Sequence, residues 1–327
     1  MNIGLNITQN TKNFNSFLEK IKIKTKEYNQ CNFIDVSSKL KLDQYINDLD
    51  ILLTYNFTPY LFKKSSKKLK WIHFGVAGVE DSLFDELIKS NIILSNSSGI
   101  HAGPVSEFIL ASILYYCKRF DACVDFKISR KWDQWEIAKT MIQLKNKKIG
   151  IIGYGAIGKA TAKLAKQFGM KVIATKRLQK TISSNKYVDR LIPLANINEL
   201  YKQSDFIVIT CPLTPLTKHM LSFEQFKVMK QNPYIINIAR GGIINDDALI
   251  YALDNNQISG ATLDVFNNEP LNENNLFFNY KNLFLSPHIS GNFPEYQSDM
   301  IDQFCDNLLR FFNKKSLKNQ ICKKQLY

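Results

Sequence analysis

The thirty residues from Lys148 to Arg177, KIGIIGYGAIGKATAKLAKQFGMKVIATKR, constrain the fold more than any other stretch of the chain. Ile149, Ile151 and Ile152 make an apolar run of strand length, and Gly153, Gly155 and Gly158 follow without a break. Ile157, Ala160, Thr161, Leu164, Ala165 and Phe168 then recur at helical spacing. Gly169 stands where a helix stops, and Lys171 to Thr175 reads as a second buried strand. Strand, glycine turn, helix and strand in this order predict a βαβ half-unit and a parallel sheet.

A GxGxxG pattern alone is a weak signal, because glycine turns are common. In this context each glycine has a physical task. The first permits the tight turn, the second lets backbone approach a pyrophosphate, and the third lets helix and sheet pack closely. The helix N-terminus meanwhile offers free N–H groups to the phosphates. The plainer alternative is a strand-turn-helix corner with incidental glycines, and the complete half-unit weighs against it. Gly153, Tyr154, Gly155, Ala156, Ile157 and Gly158 are therefore the expected phosphate end of a dinucleotide site.

A chain of 327 residues is long enough for two domains with their own cores, and 45% hydrophobic with 22% charged residues excludes disordered and fibrous classes. Neither a basic region followed by an apolar stretch at the N-terminus nor an apolar run of bilayer length is present, so a cytoplasmic protein with no membrane partner is expected. The six cysteines, Cys31, Cys117, Cys123, Cys211, Cys305 and Cys322, lack C-x-x-C spacing and nearby histidines at metal-ligand spacing. Reduced thiols and no metal site are expected. The formal charge of +14 and a local cluster of Lys63, Lys64, Lys67, Lys68 and Lys70 raise nucleic acid as a partner. No recognition helix or RNP-like motif accompanies them, so the charge reads as a solvated surface that favours anionic ligands, with no nucleic-acid partner.

Before the glycine loop, Ile3, Leu5 and Ile7 alternate as a strand and Phe14, Phe17, Leu18 and Ile21 mark a helix face. Strand-like runs follow at Phe33 to Val36, Asp50 to Tyr55, Trp71 to Phe74 and Ile92 to Ser95, predicting a first parallel sheet with its own core. Within it, FGVAGV at Phe74 to Val79 is a small-residue turn leading to a helix near Glu80. Its backbone could grip a carboxylate, and an ordinary βα turn is the alternative. A helix containing Pro104 in its first turn is apolar on nearly every side, which predicts burial between domains or between subunits. A polar stretch with Trp132 and Trp135 comes next.

After Arg177, strands are expected at Phe206 to Thr210, Tyr234 to Ala239, Ser259 to Val265 and Leu283 to Leu285, and a C-terminal helix through Met300, Phe304, Leu308 and Phe312. Arg240 directly follows YIINIA, Asp264 ends ISGATLD, Glu269 lies just beyond, and His288 follows LFLSP. Ligands of open parallel sheets bind outside the carboxyl ends of strands, so these side chains converge on the edge that carries the glycine loop. Reducing a carbonyl by hydride needs a cation to orient the substrate, an acid to protonate the oxygen, and often a carboxylate to keep that acid protonated. Arg240, His288 and Glu269 are these three types. His73, His101 and His219 lack such company and read as structural or surface residues.

At these residues the chain resembles the D-isomer-specific 2-hydroxyacid dehydrogenase family. The similarity spans nearly the whole length, and NSSGIHAGPVSE, GIIGYGAIGK, CPLTPLTKHM, NIARGGIIN, ATLDVFNNEP and SPHISG follow the family's motifs in order. The resemblance implies an α/β fold of two doubly wound parallel-sheet domains, a Rossmann-like cofactor domain over 99–288 inserted in a flavodoxin-like substrate domain made of 1–98 and 289–327. It implies an enzyme that transfers a hydride between a nicotinamide cofactor and a small 2-keto or 2-hydroxy acid of D configuration. The nearest type would be a glyoxylate/hydroxypyruvate reductase, or a phosphoglycerate dehydrogenase without its regulatory domain.

Carried over by motif, Arg240 binds the 2-keto acid, His288 is the general acid/base, Glu269 pairs with it, and Asp264 holds the nicotinamide amide. Cys211, Pro212 and Thr217, from CPLTPLT, and Ile238 and Ala239, before Arg240, line the cofactor. The backbone at Val76, Ala77 and Gly78, together with Arg240 and His288, receives the substrate. Two departures stand out. Lys176 and Arg177 occupy the place of the acidic residue at the end of the second strand, which favours NADP(H) over NAD(H), and Asn292, Phe293 and Pro294 follow HISG where many relatives carry a threonine. A homodimer through the helix from Pro104 is expected. The rival from another class is a dinucleotide-sensing regulator on the same fold, like a transcriptional corepressor.

Overall fold

The computed structural model describes residues 1–28 and 30–323, and the chain divides into two compact units, Met1–Ile100 with Phe293–Tyr327 and, inserted between these segments, His101–Asn292. The first unit holds five parallel strands, β1 (Asn2–Leu5), β2 (Asn32–Asp35), β3 (Ile51–Thr54), β4 (Trp71–Phe74) and β5 (Ile93–Asn96), in the spatial order β2-β1-β3-β4-β5. Alternate residues of each strand feed opposite cores. Ile3, Leu5, Ile51, Leu53 and Trp71 face the helices Thr11–Lys24 and Tyr296–Phe312, while Leu52, Ile72 and Phe74 face the other side. Burial on both faces is what a parallel sheet requires. Asn10 begins the Thr11–Lys24 helix by accepting a hydrogen bond from the Asn13 amide.

His73, on β4, is fully buried in this core. The Ser95 hydroxyl oxygen accepts from Trp71 Nε1 at 2.8 Å, which directs its proton to His73 Nδ1, also at 2.8 Å. Nε2–H then faces Ser97 Oγ at 3.3 Å, and Ser97 donates to the Phe74 carbonyl. This chain fixes a neutral imidazole, and burial pushes its pKa down to about 3. The histidine is structural, as its isolation in the sequence suggests.

The second unit carries an eight-stranded sheet ordered β13-β12-β11-β10-β6-β7-β9-β8. Its strands are β6 (Lys148–Ile152), β7 (Lys171–Lys176), β8 (Ser183–Asn185), β9 (Val188–Pro193), β10 (Phe206–Ile209), β11 (Tyr234–Asn237), β12 (Gly260–Leu263) and β13 (Leu283–Leu285). All pairings are parallel except β8 with β9. The chain grows from β6 outward in both directions, which places the strand-order reversal beside the end of β6. Again the faces alternate: Ile149, Ile151, Val208 and Ile236 enter one core, and Ile152, Ile207, Ile209 and Ile235 the other.

Three details differ from the sequence expectation. The turn at Glu80 begins only a single helical turn, Glu80–Ser82, held by Ser82 Oγ accepting from the Phe57 amide, and the next helix is Asp85–Lys89. The apolar helix runs Ala102–Cys117, and Val105, Ile109, Leu110, Ile113 and Cys117 are buried in its own unit's core, which accounts for its composition without a second subunit. The stretch with Trp132 and Trp135 forms two helices, Phe120–Ser129 and Gln134–Lys139, with no buried residue on either. No helix among the described residues is long and apolar enough to cross a membrane.

Candidate functional site

The glycine loop separates its three tasks sterically. Gly153 has φ +106°, and a Cβ there would lie 2.8 Å from the Cys211 amide, while a Cβ on Gly158 would lie 2.3 Å from the Gly153 carbonyl oxygen. Both are demanded by the protein's own packing. A Cβ on Gly155 would meet nothing within 4 Å. The second glycine thus opens space that no protein atom fills, where backbone must approach a ligand. The helix that follows, Ala156–Gln167, has no side-chain cap and no acid in its first turn, so its N-terminal amides face that space uncompensated. Tyr154 is buried with its amide on the Thr175 carbonyl at 2.8 Å, and Thr210 Oγ1 donates to the Gly153 carbonyl at 2.7 Å. These features fit a bound dinucleotide pyrophosphate at Gly155.

Lys176 is the last residue of β7, and Lys176 and Arg177 are both exposed there. Cys211 follows β10; burial pushes its thiol up to about 12, so it is neutral. Thr217 does not offer a free hydroxyl, because Oγ1 donates to the Pro212 carbonyl at 2.7 Å and accepts from the Thr214 amide at 2.7 Å. It ties the 211–217 loop into shape, leaving Pro212 exposed.

Beyond β11, the buried Asn237 side chain accepts from the Ala239 amide at 3.1 Å and donates to the Arg240 carbonyl at 3.0 Å, which turns the chain through Ile238 and Ala239 to Arg240. Arg240 Nη1 donates to the Ala239 carbonyl at 2.8 Å. A Cβ on Gly241 would lie 2.0 Å from the Phe266 carbonyl carbon, so this glycine lets the arginine's turn press against the loop that carries Glu269.

Glu269 Oε1 accepts from the Phe266 amide at 2.9 Å, and Oε2 lies 2.7 Å from His288 Nδ1. Partial burial pulls this carboxyl's pKa upward, but the hydrogen bonds from His288 and Phe266 and the charges of His288 and Arg240 outweigh it and hold it below its ordinary value. An ionised carboxylate can only accept, so Nδ1 carries a hydrogen toward Glu269 and Nε2 is left for chemistry. Phe266, Pro270, Leu271, Phe278, Leu285 and Pro287 line a largely apolar pocket of about 640 Å³ against this pair.

Asp264, the last residue before the loop that carries Glu269, lies just beyond β12. It has no exposed surface, and both oxygens are taken by Ser286 Oγ and the amides of Ile289 and Ser290. Asn237 and Ser286 carry visible structural roles that the sequence reading passed over. Their only signal was position: each is a polar residue immediately at the end of an apolar strand.

In the first unit, the Val76 carbonyl accepts from the Ser97 amide at 3.0 Å and the Ala77 carbonyl from Asn96 Nδ2 at 2.7 Å. With these carbonyls turned inward, the amides of Val76, Ala77 and Gly78 donate to no group among the described residues. Successive unengaged amides of this kind form a concavity for an anion. The Tyr296 hydroxyl donates to the Gly75 carbonyl and anchors the start of this turn.

A doubly wound sheet with an open glycine loop and a histidine–carboxylate pair at its carboxyl edge defines a nicotinamide-dependent dehydrogenase. The pattern described as "D-isomer specific 2-hydroxyacid dehydrogenase, NAD binding domain" matches residues 110–290, more than half the chain. A glyoxylate reductase of Thermococcus litoralis is 34% identical over 257 residues, 76% of this chain and 75% of that protein. The D-3-phosphoglycerate dehydrogenase of Methanocaldococcus jannaschii is 32% identical over 80% of this chain but 49% of its own length. Among solved structures, a D-isomer specific 2-hydroxyacid dehydrogenase family protein from Aeromonas salmonicida superposes with TM-score 0.84 at 25% identity, covering 98% of this chain and 99% of that one. An NADPH-dependent glyoxylate/hydroxypyruvate reductase from Sinorhizobium meliloti, in complex with NADP and sulfate, shares the fold with TM-score 0.83 at 20% identity over 100% and 99% of the chains. The chain belongs to the D-isomer specific 2-hydroxyacid dehydrogenase family and is an NAD(P)-binding oxidoreductase of that family.

Proposed function

We propose that this enzyme reduces a small 2-keto acid such as glyoxylate to the D-2-hydroxy acid with NADPH. The 2.7 Å pair of His288 and Glu269, on the same sheet edge as Arg240 and the glycine loop, carries the reading. Arg240 orients and polarises the keto acid. Bound cofactor supplies the hydride to C2. His288 delivers the Nε2 proton to the oxygen, and Glu269 stabilises the protonated ring beforehand. Residues 99–288 act as the cofactor domain and 1–98 with 289–327 as the substrate domain. Names of similar curated proteins, glyoxylate reductase and D-3-phosphoglycerate dehydrogenase, favour an enzyme over a regulator and a small acid as substrate. Six unpaired cysteines fit the cytoplasm. A panel of glyoxylate, hydroxypyruvate and pyruvate with NADPH oxidation followed tests the reading, and turnover of none of them would favour the regulatory alternative.

Replacing Glu269 by glutamine removes the anion that stabilises a protonated His288. With that hold on Nδ1 gone, reductive turnover is expected to fall about 10²-fold while NADPH still binds. Unchanged turnover would take Glu269 out of proton delivery.

The homodimer is carried by the two exposed helices that follow the Ala102–Cys117 helix. Val124, Ile128, Trp132 and Trp135 are 53%, 76%, 77% and 73% exposed, an apolar run that a monomer leaves in water. Sedimentation at micromolar concentration is expected to show a dimer, with Ile128→Glu shifting it to monomer. A monomeric wild type refutes the assembly.

A further inference from the structure

Composition alone reads the excess positive charge as a solvated surface, but the chain does not spread it evenly. Between Glu136 and Asp189 stand twelve lysines and arginines and not one acidic residue, which is most of the formal +14. The fold gathers five of these cations on one side of the second unit. Lys159 and Lys163, with Lys166, recur at i, i+4 and i+7 along the solvent face of the Ala156–Gln167 helix. Just past that helix the chain runs beside the segment that enters β6: the Asn146 amide donates to the Gly169 carbonyl and the Lys171 amide to the Lys147 carbonyl, both at 2.9 Å. Lys145 and Lys147 are thereby set against Lys171, the first residue of β7, and Phe168, 43% exposed, lies between helix and strand. Lys145, Lys159, Lys163 and Lys171 are exposed and Lys147 is half-buried. The acids that border this face are already engaged, Asp189 by Lys166 and the Val172 amide, Asp205 by Lys230 and the Lys148 amide. Among the described residues no acid forms an ion pair with any of the five lysines. Like charges held side by side leave a positive potential that an anion must complement.

We propose that this face binds single-stranded nucleic acid without regard to sequence. Its five cations are all lysines, which meet a phosphate as point charges and read no base edge. They follow a helix of 12 residues and continue to the entries of β6 and β7. At roughly 18 Å for the helix alone, that is a track for a chain of phosphates and not a pocket for one. Phe168 sets an aromatic ring among them. Unpaired bases stack on such a ring, whereas the bases of a duplex already stack on each other. A bilayer surface is disfavoured, because it takes a helix whose apolar face is free, and here Ala162 and Ala165 are buried in the core. The entries of β6 and β7 lie at the sheet edge opposite the glycine loop, so the lysines there stand apart from the dinucleotide site.

The test is the fluorescence anisotropy of a short fluorescein-labelled oligouridylate titrated with the full-length protein over a range of salt concentrations. Oligothymidylate, the duplex of the same strand with oligoadenylate, and phosphatidylglycerol vesicles are measured beside it. Each phosphate neutralised on a single strand contributes about 0.7 to the slope of log K against log salt. Lys145→Gln/Lys147→Gln/Lys171→Gln is therefore expected to lower that slope by about 2 and the affinity near physiological salt roughly tenfold to a hundredfold. Phe168→Ala is expected to weaken binding roughly tenfold with the slope in place, since stacking releases no counterion. Turnover of glyoxylate with NADPH should be unchanged in both variants. Lys63→Gln/Lys67→Gln/Lys68→Gln removes the same charge from the first unit and should change the affinity by no more than about twofold, because salt screens distant charges. Tighter binding of oligouridylate than of oligothymidylate assigns the strand as RNA, and the reverse as DNA. Equal losses in the two triple variants would mean diffuse attraction and overturn the assigned face. So would a slope that three lost lysines do not move, tighter binding of the duplex or of the vesicles, or no binding of either single strand near physiological salt.

Discussion

His288→Ala is expected to lower reductive turnover by about 10²–10⁴-fold while NADPH still binds. The side chain reaches solvent, with 48% of its surface exposed, so its removal leaves no buried cavity and the fold should survive. What disappears is the imidazole held at Glu269, and the developing alkoxide must then draw its proton from water. Arg240 and the glycine loop remain, which is why cofactor affinity should change little. The check is a fluorescence titration with NADPH beside steady-state turnover of glyoxylate. Near-wild-type turnover would identify a different acid.

The second large effect concerns the adenosine end of the cofactor. Carboxylates at the end of the second strand accept from the ribose hydroxyls of NAD and repel a 2′-phosphate. Lys176 closes β7 at that position, exposed and followed by the exposed Arg177. A charge-assisted hydrogen bond to the phosphate contributes on the order of 1.5–3 kcal/mol, so one contact favours NADPH roughly tenfold to a hundredfold. Lys176→Asp removes the cation and adds the repelling anion, and the ratio of catalytic efficiencies with NADPH and NADH is expected to invert. A wild type that prefers NADH, or a variant with an unmoved ratio, would release these residues from the role.

How much could be read in advance depended on whether a residue's task is local. The glycine loop and β6, β7 and β10 to β13 were legible because apolar runs bounded by glycine or polar residues reflect burial on both faces. The edge strand β8 was not, since Ser183, Ser184 and Asn185 are exposed and carry no alternation. The helices around Trp132 escaped for a related reason: with no buried face, they impose no helical period on their sequence. Asp264 was placed correctly at a strand end, yet its direction depends on Ser286, Ile289 and Ser290, which are distant in the chain. Strand-end position can be read from sequence, but whether the side chain turns outward to a ligand or inward to a neighbouring turn is decided by tertiary partners. The apolar helix from Ala102 shows the same limit, since composition announces burial without naming what covers it.

β7 stops at Lys176 because the residue opposite it in the ladder is Pro193, which has no N–H with which to continue pairing. Residues 177–182 then belong to no strand before β8 begins. This segment, with Arg177 at its start, therefore hangs from the sheet without being woven into it, and its charge can change while every ladder bond stays in place. The His288 turn has no such latitude, being fastened at three points to a buried carboxylate. Over evolutionary time the two ends of one active site should drift at unequal speeds. A lineage whose supply of reducing equivalents changes can re-tune its electron donor by surface substitutions, while the proton-delivering end stays fixed.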